Sequence, residues 1–194
     1  MTLAPTLLVS MPQLVDPNFS RAVVLLCKHS AKGAFGLVVN RPLVTSGRVV
    51  VNLGGTTPSG MHETISTDRE LEMWIGGPVE PQRSWMLVNG DPTEEIDEEE
   101  ATGMRIADGL YLTTSPDLLR RMLEPKPPEN ARFVIGYSGW GPGQLEQELE
   151  ASAWLISDVD PSLIFHTPAD RMWETAIRRM GADPAALQTS RGVH

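Results

Sequence analysis

The chain holds a single cysteine in 194 residues, which excludes an internal disulfide and fits a reducing compartment. Its histidines, His29, His62, His166 and His194, are scattered, with no His-x-x-x-His and no second cysteine, so no metal site is expected. Neither Gly-x-Gly-x-x-Gly nor Gly-x-x-x-x-Gly-Lys-Ser/Thr is present, and no cofactor is expected. The acidic run Glu94 to Glu100, broken by Ile96, lacks the Asp-x-Asp-x-Asp-Gly of a calcium loop and reads as a solvated face. No apolar run approaches the ~20 residues of a membrane helix. The first fifteen residues are uncharged but have no basic opening, and Pro5 and Pro12 interrupt their apolar stretch, so they read as mature cytoplasmic protein. Basic residues are the scarcer charge. Sixteen against twenty-five acids leave a net charge of −9 and a pI near 4.9, which argues against direct binding of nucleic acid or an anionic membrane. The imbalance is local: residues 1–42 carry four bases against one acid, residues 43–100 three against twelve.

At 41% hydrophobic the chain is long enough for one domain with a real core. Strands and helices intermix without regular alternation, which points to an α/β chain of the α+β type around a mixed sheet, a single domain over 1–194. Leu7-Leu8-Val9 is a short apolar segment, and Asp16 to Ser20 is a loop dense in turn formers. Ala22–Cys27 and Ala34–Val39 read as strands covered on both faces, joined by the polar segment Lys28–Gly33. Arg48–Leu53, Leu71–Ile75 and Trp85–Val88 are strand-like, and Met104–Thr114 reads as strand around Asp108-Gly109. Ser115-Pro116-Asp117 caps a helix to about Glu124. Ala153–Ser157 and Ser162–Phe165 read as strands. Thr167-Pro168-Ala169-Asp170 starts a helix with Met172, Trp173, Ala176, Ile177 and Met180 on one face and Gly181 at its end. Residues 183–194 read as a loosely held tail.

The densest signal is Gly136-Tyr137-Ser138-Gly139-Trp140-Gly141-Pro142-Gly143-Gln144, after the apolar run Phe133-Val134-Ile135 and before a helical pattern from Gln144. Its glycines predict a tight strand-to-helix turn with Trp140 at the apex and Pro142 at the first helical position. Gly136-x-Ser138 has half of a hydrolase nucleophile elbow, but Trp140 stands where the second glycine is needed. Gly76-Gly77 either offers bare N–H groups to a ligand or permits a tight crossing of strands. Arg41, between Asn40 and Pro42, is placed to clamp a carboxylate or phosphate, or to pair with an acid of the middle segment. His29, two residues from Cys27 on one strand, would lower the thiol's pKa if both share an exposed face; the alternative is a buried, inert Cys27.

Gly136 to Glu146 resembles the hallmark of the YqgE/AlgH family of bacterial proteins. Leu7–Arg21, Ala22–Pro42 and Trp74–Pro81 match it in the same order. The resemblance implies a cytosolic α/β domain whose mixed, bifurcated sheet folds into a pseudo-barrel flanked by helices. It implies no reaction, and the AlgH label carries a proposed role in transcriptional regulation. Val44–Met61, rich in Gly, Ser and Thr, departs from the helical segment usual in relatives.

The sequence therefore points to a non-enzymatic binding or regulatory protein for a small molecule or a protein partner. The candidate binding residues are Asn40, Arg41, Gly76, Gly77, Tyr137, Trp140 and Gln144. One alternative is a regulator acting on transcription through a partner; another is an enzyme using Cys27, with His29, or Ser138. No catalytic residue is assigned.

Overall fold

In a computed structural model, residues 2–45, 49–56, 62–90 and 103–189 are described. The elements begin with β1 (Thr6–Ser10), β2 (Val23–Ser30), β3 (Gly33–Val38), β4 (Pro42–Thr45), β5 (Val49–Thr56) and β6 (His62–Thr67). β7 (Leu71–Ile75), β8 (Val79–Asn89), β9 (Gly103–Ala107), β10 (Leu110–Thr113), α1 (Pro116–Met122) and β11 (Ala131–Trp140) follow. α2 (Gln144–Glu150), β12 (Trp154–Ser157), α3 (Pro161–His166), α4 (Ala169–Arg179) and α5 (Pro184–Thr189) complete the order. The class is the α/β, α+β-type one read from the sequence. Contacts divide the chain into two compact units: Met1–Arg41 with Ile75–Arg83 and Gly136–His194, and Pro42–Trp74 with Ser84–Ile135.

The first unit is built on antiparallel ladders of β1 with β12 and β2, and of β3 with β2 and the end of β11. Residues 23–27 are all buried, as their unbroken apolarity predicts. Alternation sends Leu8, Val24, Leu26 and Val38 to one face, where they meet Trp140, Leu145 and Trp154. α4 packs on β1 and β2, and its Trp173, 2% exposed, donates its indole N–H to the Ser10 carbonyl at 2.8 Å. The sequence predicts a six-residue connection between β2 and β3; instead the strands pair through it, with Ser30 opposite Gly33, and only Ala31-Lys32 turn the chain.

Two further differences have local causes. Ser162–Phe165 is helical, not extended, because Asp160 caps α3: its carboxylate accepts from the Ser162 N–H at 2.8 Å, and Pro161 starts the helix. Within the stretch read as a tail, α5 occupies residues 184–189, and residues 190–194 lie outside the described residues. β11 also runs on through Trp140, so Gly143, in a left-handed conformation, is the N-cap of α2 and Pro142 lies outside it.

In the second unit β10 pairs with β8 and β9, β4 with β7, and β5 with β6. Leu119 and Met122 of α1 close a core over Leu71, Met73, Met86, Val88 and Phe133. Ser115 caps α1 with its hydroxyl on the Leu118 N–H, and Pro116 holds the first helical position, both as read. Part of the Gly/Ser/Thr-rich stretch is strand, in β5; residues 57–61 and the acidic run at 94–100 lie outside the described residues.

Candidate functional site

The two glycine segments meet each other. A Cβ on Gly77 would stand 2.3 Å from the Tyr137 carbonyl carbon and oxygen, and one on Gly136 would stand 2.5 Å from the Gly77 oxygen. The Gly76 carbonyl accepts from the Val38 N–H at 2.8 Å and from the Ser138 hydroxyl at 3.0 Å. The glycines thus permit backbone-on-backbone contact. Ser138 is fully buried within a strand with its hydroxyl donated to that carbonyl, so it does not stand on an exposed elbow as a nucleophile must.

Trp140 and Tyr137, three apart on β11, face opposite sides, so they do not line one wall. The Trp140 ring, 5% exposed, lies 6.1 Å from Trp154 and 6.2 Å from Phe19. Its indole N–H donates to Glu148, as does that of Trp154. Gln144 accepts from the Gly141 N–H at 3.0 Å and donates to Glu148 at 3.0 Å. Both of its amide groups are engaged within the turn.

Tyr137 instead packs on Phe35, ring centroids 5.1 Å apart. Burial, and then the charge and hydrogen bond of Glu80, push its phenol above the usual range, with Arg83 opposing. Glu80 pairs with Arg83 at 3.3 Å and has φ of 44° just before Pro81, a strained backbone for a residue with a Cβ.

Asn40 and Arg41 act on the loop before β2. Asn40 accepts from the Val23 N–H at 2.9 Å and donates to the Arg21 carbonyl at 2.9 Å. Arg21 sits at φ 52°, its guanidinium 4.6 Å above the Trp173 ring and 2.9 Å from Glu174. Arg41 donates through Nη2 to the Ser20 carbonyl at 2.8 Å, and its buried Nε has no acceptor among the described residues. The alternative of an ion pair with a middle-segment acid is not found among those residues.

Cys27 and His29 do not form a pair. A bulge between Leu26 and Lys28 breaks the period of two. The His29 ring is engaged by Leu3 and Glu146. Burial drives the Cys27 thiol well above its ordinary pKa, with only Lys28 opposing. The structure therefore favours the inert reading. Cys27 should react with a soluble thiol reagent about 100-fold or more slowly than free cysteine, at the rate of local opening. Rapid labelling of the native protein near neutral pH would contradict this.

The sequence does not mark Glu148, whose indole partners stand on the neighbouring strands, Arg21, whose partners come from α4, or Glu80, whose strain shows only in the backbone. Nor does it mark Arg132 in the second unit, whose guanidinium lies 3.7 Å above the Trp74 ring. Burial lowers the Arg132 pKa to about 10, and Glu72 opposes the shift.

This arrangement defines an α/β protein whose glycine-rich segments serve packing and whose polar groups gather at loop clamps. A family model described as AlgH-like matches residues 7–185. A UPF0301 protein of Myxococcus xanthus is 40% identical over 195 residues, 99% of this chain and 98% of its own. One from Xylella fastidiosa strain M23 is 41% identical over 186 residues, 94% of this chain and 92% of its own. The solution structure of the AlgH protein from Pseudomonas aeruginosa superposes with a TM-score of 0.67 at 30% identity, covering 100% of this chain and 96% of that one. The crystal structure of DIP2367 from Corynebacterium diphtheriae, at 22% identity and TM-score 0.60, shares the fold. The chain belongs to the AlgH-like family, as the sequence motifs indicate. No helix among the described residues is long and apolar enough to cross a membrane.

Proposed function

We propose that this is a cytosolic, non-enzymatic binding protein whose small-molecule or protein partner presents a carboxylate or phosphate to Arg41. The observation that carries the reading is the buried Arg41 Nε without an acceptor among the described residues. Buried donors in native proteins are nearly always paired, and a guanidinium that gives one N–H to a carbonyl has further donors for an oxyanion. Asn40 fixes the adjoining loop, so an anion at Arg41 also bears on the strained Arg21. Any role in transcription runs through a protein partner, because a net charge of −9 opposes direct DNA binding.

A thermal-shift screen against nucleotides, organic acids and phosphorylated metabolites tests this. A ligand at one hundred times its Kd adds about 2.7 kcal/mol, or about 5–10 °C for a protein of this size. The shift should vanish in Arg41→Ala and shrink in Arg41→Lys, which keeps the charge and loses the fork. A hit that survives Arg41→Ala unchanged would move the site elsewhere.

A further inference from the structure

We propose that His29 is a pH-operated latch: protonating its ring releases residues 2–4 from the aromatic cluster of Trp140 and Trp154. The His29 side chain, 6% exposed, is engaged at both ring nitrogens. Nδ1 lies 3.1 Å from the backbone nitrogen of Leu3, and Nε2 lies 2.8 Å from Glu146 Oε1. A backbone N–H can only donate, so Nδ1 must present its lone pair. The ring proton is therefore on Nε2, directed at the Glu146 carboxylate. Both partners are satisfied by one neutral tautomer.

An imidazolium carries a proton on each nitrogen. Its Nδ1–H would point at the Leu3 N–H, which turns one hydrogen bond into two opposed donors in a nearly closed site. The Nε2 side gains at the same time, because a charged ring attracts Glu146 more strongly. The Glu146 carboxyl is held below the usual range by its own backbone N–H and by the His29 ring, so it faces the ring as a carboxylate. Protonation thus tightens the link to α2 and breaks the link to the start of the chain.

Among the described residues little else is bonded to that start. The Thr2 hydroxyl donates to the His29 carbonyl at 3.1 Å and accepts from the Ala4 N–H at 3.3 Å. Leu3 and Ala4 pack, half-buried, against the cluster containing Trp140 and Trp154. The charged groups on the surrounding elements are Glu146 and Glu148 on α2, Lys28 beside the ring on β2, and Lys32 in the hairpin; Cys27 is the other titratable neighbour on β2, and Ala34 of β3 faces the ring's strand position. Of these, Glu146 is the one bonded to the ring, and Glu148 is occupied by the two indoles and Gln144. The latch is closed with the neutral ring and open with the imidazolium.

Two measurements on the full chain decide it. Nitrogen NMR of the His29 ring at about pH 8 should show the Nε2–H tautomer. Amide exchange at Leu3 and Ala4, referenced to the buried Leu25 amide to remove the intrinsic pH dependence, should lose about tenfold in protection by about pH 5. In His29→Gln the amide oxygen can accept from Leu3 at any pH, and the ratio should stay constant. An Nδ1–H tautomer, an unchanged ratio in the wild type, or the same loss in His29→Gln overturns the proposal. The tautomer measurement needs no variant, so a poorly folding substitution does not shield it.

Discussion

Gly77→Ala should leave little folded protein, with a loss of more than about 4 kcal/mol. Two effects add. Gly77 has φ of +151°, a backbone that L side chains rarely adopt, and strain of that kind is worth about 1–3 kcal/mol. The new methyl would also stand 2.3 Å from the Tyr137 carbonyl and 2.5 Å from the Ser138 nitrogen, which are backbone atoms that cannot swing aside. Relief by moving β11 is opposed, because the Gly76 carbonyl is held by the Val38 N–H and the Ser138 hydroxyl. Against a total stability of about 5–15 kcal/mol the substitution consumes much of what exists. The controls are Gly143→Ala and Gly181→Ala, which share a positive φ but have nothing within 4 Å of the added methyl. These isolate the conformational part and should lose about 1 kcal/mol each. Urea denaturation of the three variants checks the ranking; a Gly77→Ala midpoint as high as the controls would show that the crossing yields more than its geometry allows.

The elements with strong local signals were the ones the sequence revealed. Ser115-Pro116 caps α1, Gly181 takes a positive φ at the end of α4, and the unbroken apolar run of β2 is covered on both faces. Errors came where a local pattern had two physical solutions. Ser162–Phe165 is short and apolar, which suits a strand or a buried helix equally, and the Asp160-Pro161 cap that decides it stands just outside the run. The spacing of Cys27 and His29 implied a shared face only for a regular strand, and the bulge that separates them is a property of pairing with β3. The candidate site failed to be legible for a related reason. Tyr137, Trp140 and Gln144 are adjacent in sequence, yet strand alternation sends the two aromatics to opposite faces, and the partners that occupy Trp140 come from residues 19, 148 and 154. Glu148 lies four residues after Gln144, so that one contact follows from helical periodicity. The arrival of Trp154 at the same carboxylate does not.

That carboxylate should be the most sensitive polar group in the first unit. Glu148 Oε2 accepts from Trp140 Nε1 at 2.9 Å and from Trp154 Nε1 at 2.7 Å, while Oε1 accepts from Gln144 at 3.0 Å. Both indoles are at least 95% buried, so neither N–H has water as a substitute. Glu148→Leu fills similar space and removes the acceptor, leaving two buried donors unpaired at about 1–3 kcal/mol each, and should destabilise the protein by about 3–5 kcal/mol. Removing an acceptor is harmless only when its donors are replaced too, and here the buried indoles remain. Glu148→Gln keeps one oxygen able to take both indoles, but turns an amide NH₂ toward Gln144, two donors facing; its loss should be about 1–2 kcal/mol. The order wild type, then Gln, then Leu separates hydrogen bonding from packing, since Gln and Glu have nearly the same volume. Trp154→Phe removes one of the two donors, so Glu148→Leu should do less harm on that background, with a coupling of about 1–3 kcal/mol in a double-mutant cycle. If the two substitutions simply add, the carboxylate is not the point through which β11, α2 and β12 are joined, and the aromatic packing alone must hold them.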